Sequence, residues 1–165
     1  GIEKYSIPFN ASTKIESKYI TPPQAKFDTD ENYGSILNSI MNSSSNIFKE
    51  SYDRAIRQEQ AGGTTGYGRD EVENFWMNLR SSFPDARFNL EHCSYLREDK
   101  QPNKAAIRWS LVGKHSGNGL FGIPSNADVY VMGINHVEFG SRGIRNEWVL
   151  FDETAVWKQI LLKTG

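Results

Sequence analysis

Asp152, His136 and His115 are the residues whose types and surroundings could do chemistry. Asp152 follows Trp148 at a spacing that keeps both on one face of a strand. A carboxylate beside indole rings is desolvated, which raises its pKa and makes it a better base near neutral pH. The run Asp152-Glu153-Thr154 also precedes Ala155-Val156-Trp157, so the same carboxylate is well placed to cap a final helix. His136 shares a face with Met132 and Ile134, where it would hold or polarise an oxygen; a histidine satisfied by a backbone partner in the core is the plainer role. His115 ends the strand carrying Trp109 and Leu111, just before a glycine-rich loop, at an expected pocket mouth. Trp76, Trp109, Trp148, Tyr130 and Met132 would line an apolar cavity, although aromatics at such spacings more often simply form core. The expected site is therefore a catalytic pair, Asp152 and His136, with Trp76, Trp109, His115, Tyr130, Met132 and Trp148 binding substrate.

Other chemistries find no support. No His-x-His, HExxH or facial-triad spacing is present, so no metal is expected. Gly117-Asn118-Gly119-Leu120-Phe121-Gly122 has the spacing of a nucleotide loop, but Pro124 intervenes where a helix should follow. No cofactor is expected. Cys93 is the only cysteine, which rules out an intramolecular disulfide and fits a reducing compartment, the cytoplasm. The 19 basic and 20 acidic residues give a net charge of -1, so neither nucleic acid nor an anionic membrane is an expected partner. No apolar run approaches the roughly 20 residues of a membrane span.

The elements that must position these residues follow from periodicity. Residues 1–32 lack it, and Thr21-Pro22-Pro23 breaks any helix, so this stretch reads as an arm or linker. From Tyr33 to about Gln60 the pattern is helical, interrupted at Asn42-Ser43-Ser44-Ser45-Asn46. Four glycines between Ala61 and Gly68 mark a flexible loop. A helix then starts near Arg69, with Val72, Phe75, Trp76 and Leu79 as its apolar stripe, and stops at Ser82-Phe83-Pro84-Asp85. Beyond it the period falls to two. Phe88, Leu90 and His92 alternate with Arg87, Asn89 and Glu91. Ala105, Ile107, Trp109, Leu111 and His115 share one face of the next strand. Tyr130, Met132, Ile134, His136 and Glu138 lie opposite Val129, Val131 and Val137. Gly140-Ser141-Arg142-Gly143 is a hairpin turn; with Gly143 in the left-handed position of a three-residue loop, Gly140 pairs with Ile144 and His136 lies opposite Trp148. A short helix carrying Ala155, Val156, Gln159 and Ile160 closes the chain. Helices first and a long-stranded antiparallel sheet second is α+β architecture.

The helix ending in Phe83-Pro84-Asp85, the strand Ala105-Ala106-Ile107-Arg108-Trp109, Gly113-Lys114-His115-Ser116-Gly117, Gly122-Ile123-Pro124, and Glu147-Trp148 followed by Asp152 and Gln159 together resemble the SnoaL-like polyketide cyclase family. The resemblance covers about residues 33–163. It implies the cone of the nuclear transport factor two and ketosteroid isomerase superfamily, a curved and mainly antiparallel sheet wrapped around N-terminal helices and open at one end, here over residues 33–165. It further implies a general base at Asp152, with the matching histidine near His136 or Glu138, and an aldol closure without cofactor or metal. The chain departs from the pattern at Ser141-Arg142-Gly143 and at Asn146, where a glutamate is common.

Two functions fit. The first is a cofactor-free cyclase, isomerase or dehydratase acting on an apolar carbonyl compound. The second is a non-catalytic module that binds a small apolar ligand or dimerises through its sheet. A homodimer is expected through an outward face carrying Arg108, Ser110, Val112 and Lys114.

Overall fold

A computed structural model describes residues 32–42 and 46–165. The expected arm, residues 1–32, lies outside them except for Asn32. The order is α1 (Tyr33–Met41), α2 (Ile47–Ser51), β1 (Tyr52–Glu59), β2 (Thr65–Tyr67), α3 (Gly68–Ser82), β3 (Arg87–Leu96), β4 (Lys104–Lys114), β5 (Asp128–Gly140), β6 (Gly143–Phe151) and α4 (Glu153–Thr164). One six-stranded sheet runs in the order β2-β1-β6-β5-β4-β3. Every neighbouring pair is antiparallel except β1 with β6.

The first helical stretch divides differently from its periodicity. Helix α1 starts at Asn32, whose side chain accepts from the Ser35 N–H, and buries Tyr33, Ile36, Leu37 and Ile40 along one stripe. The chain then leaves helical geometry at Tyr52. The residues expected to continue a helix to Gln60 form strand β1 between β2 and β6. Tyr52 and Ile56, four apart, suit a helix stripe; with Gln58 they also suit the inner row of an irregular strand, and pairing with β6 decides between them. The expected loop after Ala61 likewise contains the short edge strand β2.

Helix α3 follows its sequence pattern closely. Val72, Phe75, Trp76 and Leu79 are buried, Asp70 and Glu71 occupy the first turn, and Pro84 lies just beyond its end. Register irregularities interrupt the pairing in β1, in β3 between Leu90 and His92, and at Glu138/Phe139 against β6. Such bulges bend strands. Helices α1 and α3 fill the inner face, α1 against β3 and β4, α3 against β1 and β2.

Which row of each strand faces inward is settled on β5. Gly133 pairs with Trp109, and a Cβ on Gly133 would stand 2.0 Å from the indole Cζ2, so the Trp109 ring lies flat across the glycine. The inner row is thus Val129, Val131, Gly133, Asn135, Val137 and Phe139. Tyr130, Met132, Ile134, His136 and Glu138 face outward.

Candidate functional site

The inner face holds a buried carboxylate at its centre. Glu147, fully buried on β6, accepts four hydrogen bonds. Oε2 takes the hydroxyls of Tyr33 at 2.5 Å and Tyr52 at 2.7 Å. Oε1 takes the Gln58 amide at 2.7 Å and the Trp76 indole N–H at 3.3 Å. The donors come from α1, β1 and α3, so three elements converge on one carboxylate. The network continues through Asn135, whose amide donates to the Tyr33 oxygen at 2.8 Å and whose carbonyl accepts from Trp109 Nε1 at 2.9 Å. Burial raises the Glu147 pKa, opposed by the four donors that favour the anion. Burial, followed by the adjacent carboxylate, pushes both tyrosines well above the ordinary phenol value. The assembly therefore pairs an acceptor with proton donors in a dry interior. No group of three His, Cys, Asp or Glu among the described residues could hold a metal.

A cleft of about 540 Å³ opens between the C-terminal ends of α1 and α3 and the start of β3. Met41, Met77, Phe83, Phe88 and Leu111 give it an apolar lining; Asn42, Arg80, Ser81 and Asp85 supply polar groups. The Phe88 ring packs 5.9 Å from Trp109, which bonds Asn135. Trp109 thus stands between the cleft wall and the carboxylate network.

The sequence pattern of the SnoaL-like polyketide cyclase family matches residues 35–160, most of the chain. The chain belongs to the SnoaL-like polyketide cyclase family. No curated protein matches it significantly. Among solved structures, a SnoaL-like protein of Jannaschia sp. superimposes with a TM-score of 0.65 at 15% identity, covering 83% of this chain and 95% of its own. IdmH of Streptomyces antibioticus gives 0.64 at 15% identity, with 81% and 99% covered. A protein of ketosteroid isomerase-like fold from Catenulispora acidiphila, solved with trimethylamine, gives 0.59 at 12% identity, with 80% and 93% covered. These likenesses establish the cone fold.

Within this SnoaL-like cone the expected site residues divide between inside and outside. Trp76 and Trp109 are fully buried and belong to the network. His115 is also fully buried. The expected interior position of Asp152 is corrected: it is exposed just past the end of β6, and its Oδ1 accepts from Ala155 N–H at 3.0 Å as the cap of α4. His136, Tyr130, Met132 and Trp148 are corrected in the same way, because they occupy the outward row. His136 stacks on Trp148 at 4.9 Å and lies opposite it in the register as expected, although Gly140 pairs with Gly143 and not with Ile144, and the irregularity at Glu138/Phe139 makes up the difference. Its imidazole is pushed down to about 4, first by burial and then by Lys104. Tyr130 and Met132 are about half exposed. Asp152 and His136 are not brought together on the inner face.

Glu147, Tyr33, Tyr52, Gln58 and Asn135 were not among the expected site residues. One signal pointed to Glu147. It shares its row with Val149 and Phe151, and β5 carries Val129, Val131, Val137 and Phe139 on the matching row. The more apolar row faces the core.

Proposed function

We propose that this SnoaL-like chain binds a small, largely apolar compound in the cleft between α1, α3, β3 and β4. The observation carrying this reading is the cleft itself, whose size suits one small molecule, with apolar side chains to seat it and the polar groups of Asn42, Arg80, Ser81 and Asp85 to orient it. Equilibrium binding of a panel of naphthyl and anthracyl ketones tests it. Micromolar binding is expected. Ser81→Trp, at an exposed position on the cleft wall, should abolish it without lowering Tm; undiminished binding in that variant would place the ligand elsewhere and defeat the proposal.

A second reading makes the protein a cofactor-free enzyme on such a compound. The family and its fold neighbours suggest a small-molecule cyclase or isomerase. A buried carboxylate with two phenol donors favours it, since acid-base work needs groups of this kind held out of water. Here Glu147 acting through Tyr33 replaces Asp152 as the acid-base centre, and Trp109 must swing to admit substrate. Exchange of the α-protons of a naphthyl methyl ketone in heavy water measures this without knowledge of the natural substrate. Exchange above the buffer rate that disappears in Tyr33→Phe supports catalysis. A buffer rate alone leaves binding as the function.

The outward sheet face supports pairing with a second copy. Val112 and Tyr130 are register partners there, 38% and 46% exposed, and Met132 beside them is 49% exposed. Light scattering at micromolar concentration should give twice the mass of 18.7 kDa; a monomer would refute the homodimer. No helix among the described residues is long and apolar enough to cross a membrane. Cys93 is buried and burial raises its thiol to about 11, which leaves it unreactive.

A further inference from the structure

Behind the cleft lies a histidine that the carboxylate network does not use. His115 follows β4, and its backbone is tied to the returning chain: its N–H donates to Ala127 O, and its carbonyl accepts from Ser125 and Asn126. The side chain is fully buried. Nδ1 sits 2.9 Å from Ser125 Oγ, whereas Nε2 is buried with no hydrogen-bond partner. An unpaired buried polar atom is costly enough to need a reason.

The surroundings supply one. The imidazole packs 5.8 Å from the ring of Phe83, and Phe83 lines the cleft. The Phe83 ring therefore touches both the histidine and the cleft. The glycine-rich loop after His115 braces this wall. Gly117 N–H donates to Ser82 O and Leu120 N–H to Asn78 O, and a Cβ on Gly117 or Gly119 would collide with the carbonyls of Ser81 or Asn78. The loop holds His115 against the end of α3, where Ser81, Phe83 and Pro84 turn toward the cleft. Ser125 Oγ accepts from Ala127 N–H, and with its own hydroxyl proton donated to Nδ1 the ring proton sits on Nε2. Burial lowers the pKa of His115 and keeps the ring neutral.

We propose that His115 is a ligand-binding residue of the cleft: with the Phe83 ring turned aside, its Nε2 N–H donates to an acceptor oxygen, such as a carbonyl, on an otherwise apolar compound. This rests on the reading of the cleft as the binding site and adds to it the chemical group recognised there. A hydrocarbon of the same shape fills the apolar lining but leaves Nε2 unpaired.

Naphthyl methyl ketone and isopropylnaphthalene are matched probes with and without that oxygen. The wild-type protein should bind the ketone about fivefold to tenfold more tightly, the worth of one neutral hydrogen bond. His115→Leu should bind the two equally while still binding the hydrocarbon. In the wild type the His115 Nε2 resonance should move with the ketone and not with the hydrocarbon. A ketone preference that survives His115→Leu, or an Nε2 resonance indifferent to bound ketone, overturns the assignment while the cleft stands. Failure of both probes to bind the wild type defeats the cleft reading and this inference with it. If His115→Leu does not fold, the wild-type resonance decides alone.

Discussion

Asp152 and Glu147 show how an acid's neighbours decide its use. Asp152 accepts a backbone N–H at the start of α4 and is otherwise open to water. Asparagine caps a helix about as well as aspartate, so Asp152→Asn should change stability by only a few tenths of a kcal/mol, whereas Asp152→Ala should cost about 1 kcal/mol. Urea unfolding of the two variants measures this. A large loss in the asparagine variant would mean that the charge does more than cap. Glu147 has the opposite setting. Its four partners lie 71 to 114 residues away in the chain. No local pattern reveals the donor set, because each donor reads by itself as an ordinary core aromatic or an isolated polar residue. The cap, by contrast, was legible from three consecutive residues.

At the level of strands and helices, much of the fold was legible. Helix α3 and strands β4 to β6 have strong periods, and their residues appear where those periods put them; in β3 the irregularity after Leu90 sets His92 beside outward-facing Arg108, off the row of Phe88 and Leu90 on which its period puts it. Strand β1 was not legible, because Tyr52 and Ile56 satisfy two periods and only a partner strand chooses. The faces of β5 and β6 were read with correct parity and the wrong side, since the residues richest in chemistry were placed inward when the valine row belongs there, whereas β4 was read on the right side, with the Trp109 row inward and the Arg108 row outward. Gly133 explains why that row can hold an indole. Gly133→Ala should force Trp109 off its seat, break its bond to Asn135 and cost about 3 kcal/mol by overpacking. Gly140→Ala, whose added Cβ meets nothing closer than 3.4 Å, should stay within about 0.5 kcal/mol. Equal effects in thermal melts would mean that the close approach does not constrain the sheet.

For the molecule as a whole, buried titratable groups set the response to acid. In the unfolded chain His136 takes up a proton near its ordinary value of 6.5; in the folded protein it resists until about pH 4. The unfolded state therefore binds more protons across that window, and stability falls as pH drops through it, by about 3 kcal/mol at most. His115 acts with the same sign. Glu147 acts against both: its folded pKa is raised, so it favours the folded state at low pH and loses that contribution as pH rises through its folded value. Denaturant midpoints from pH 7 to pH 4 should fall, and His136→Phe should flatten the decline. An unchanged slope in that variant would remove His136 as its source.

Gln159 has a consequence for behaviour at high concentration. Strand β5 runs on past the end of β6, which would leave the backbone N–H and C=O of Tyr130 bare, but the Gln159 amide oxygen accepts from that N–H at 2.8 Å and its nitrogen donates to that C=O at 3.0 Å. A single side chain thus plays the part of a missing neighbour strand at this margin. Without it, the margin becomes a template onto which a stray chain can zip, and slow fibrous association is the expected fate of a protein lacking that amide.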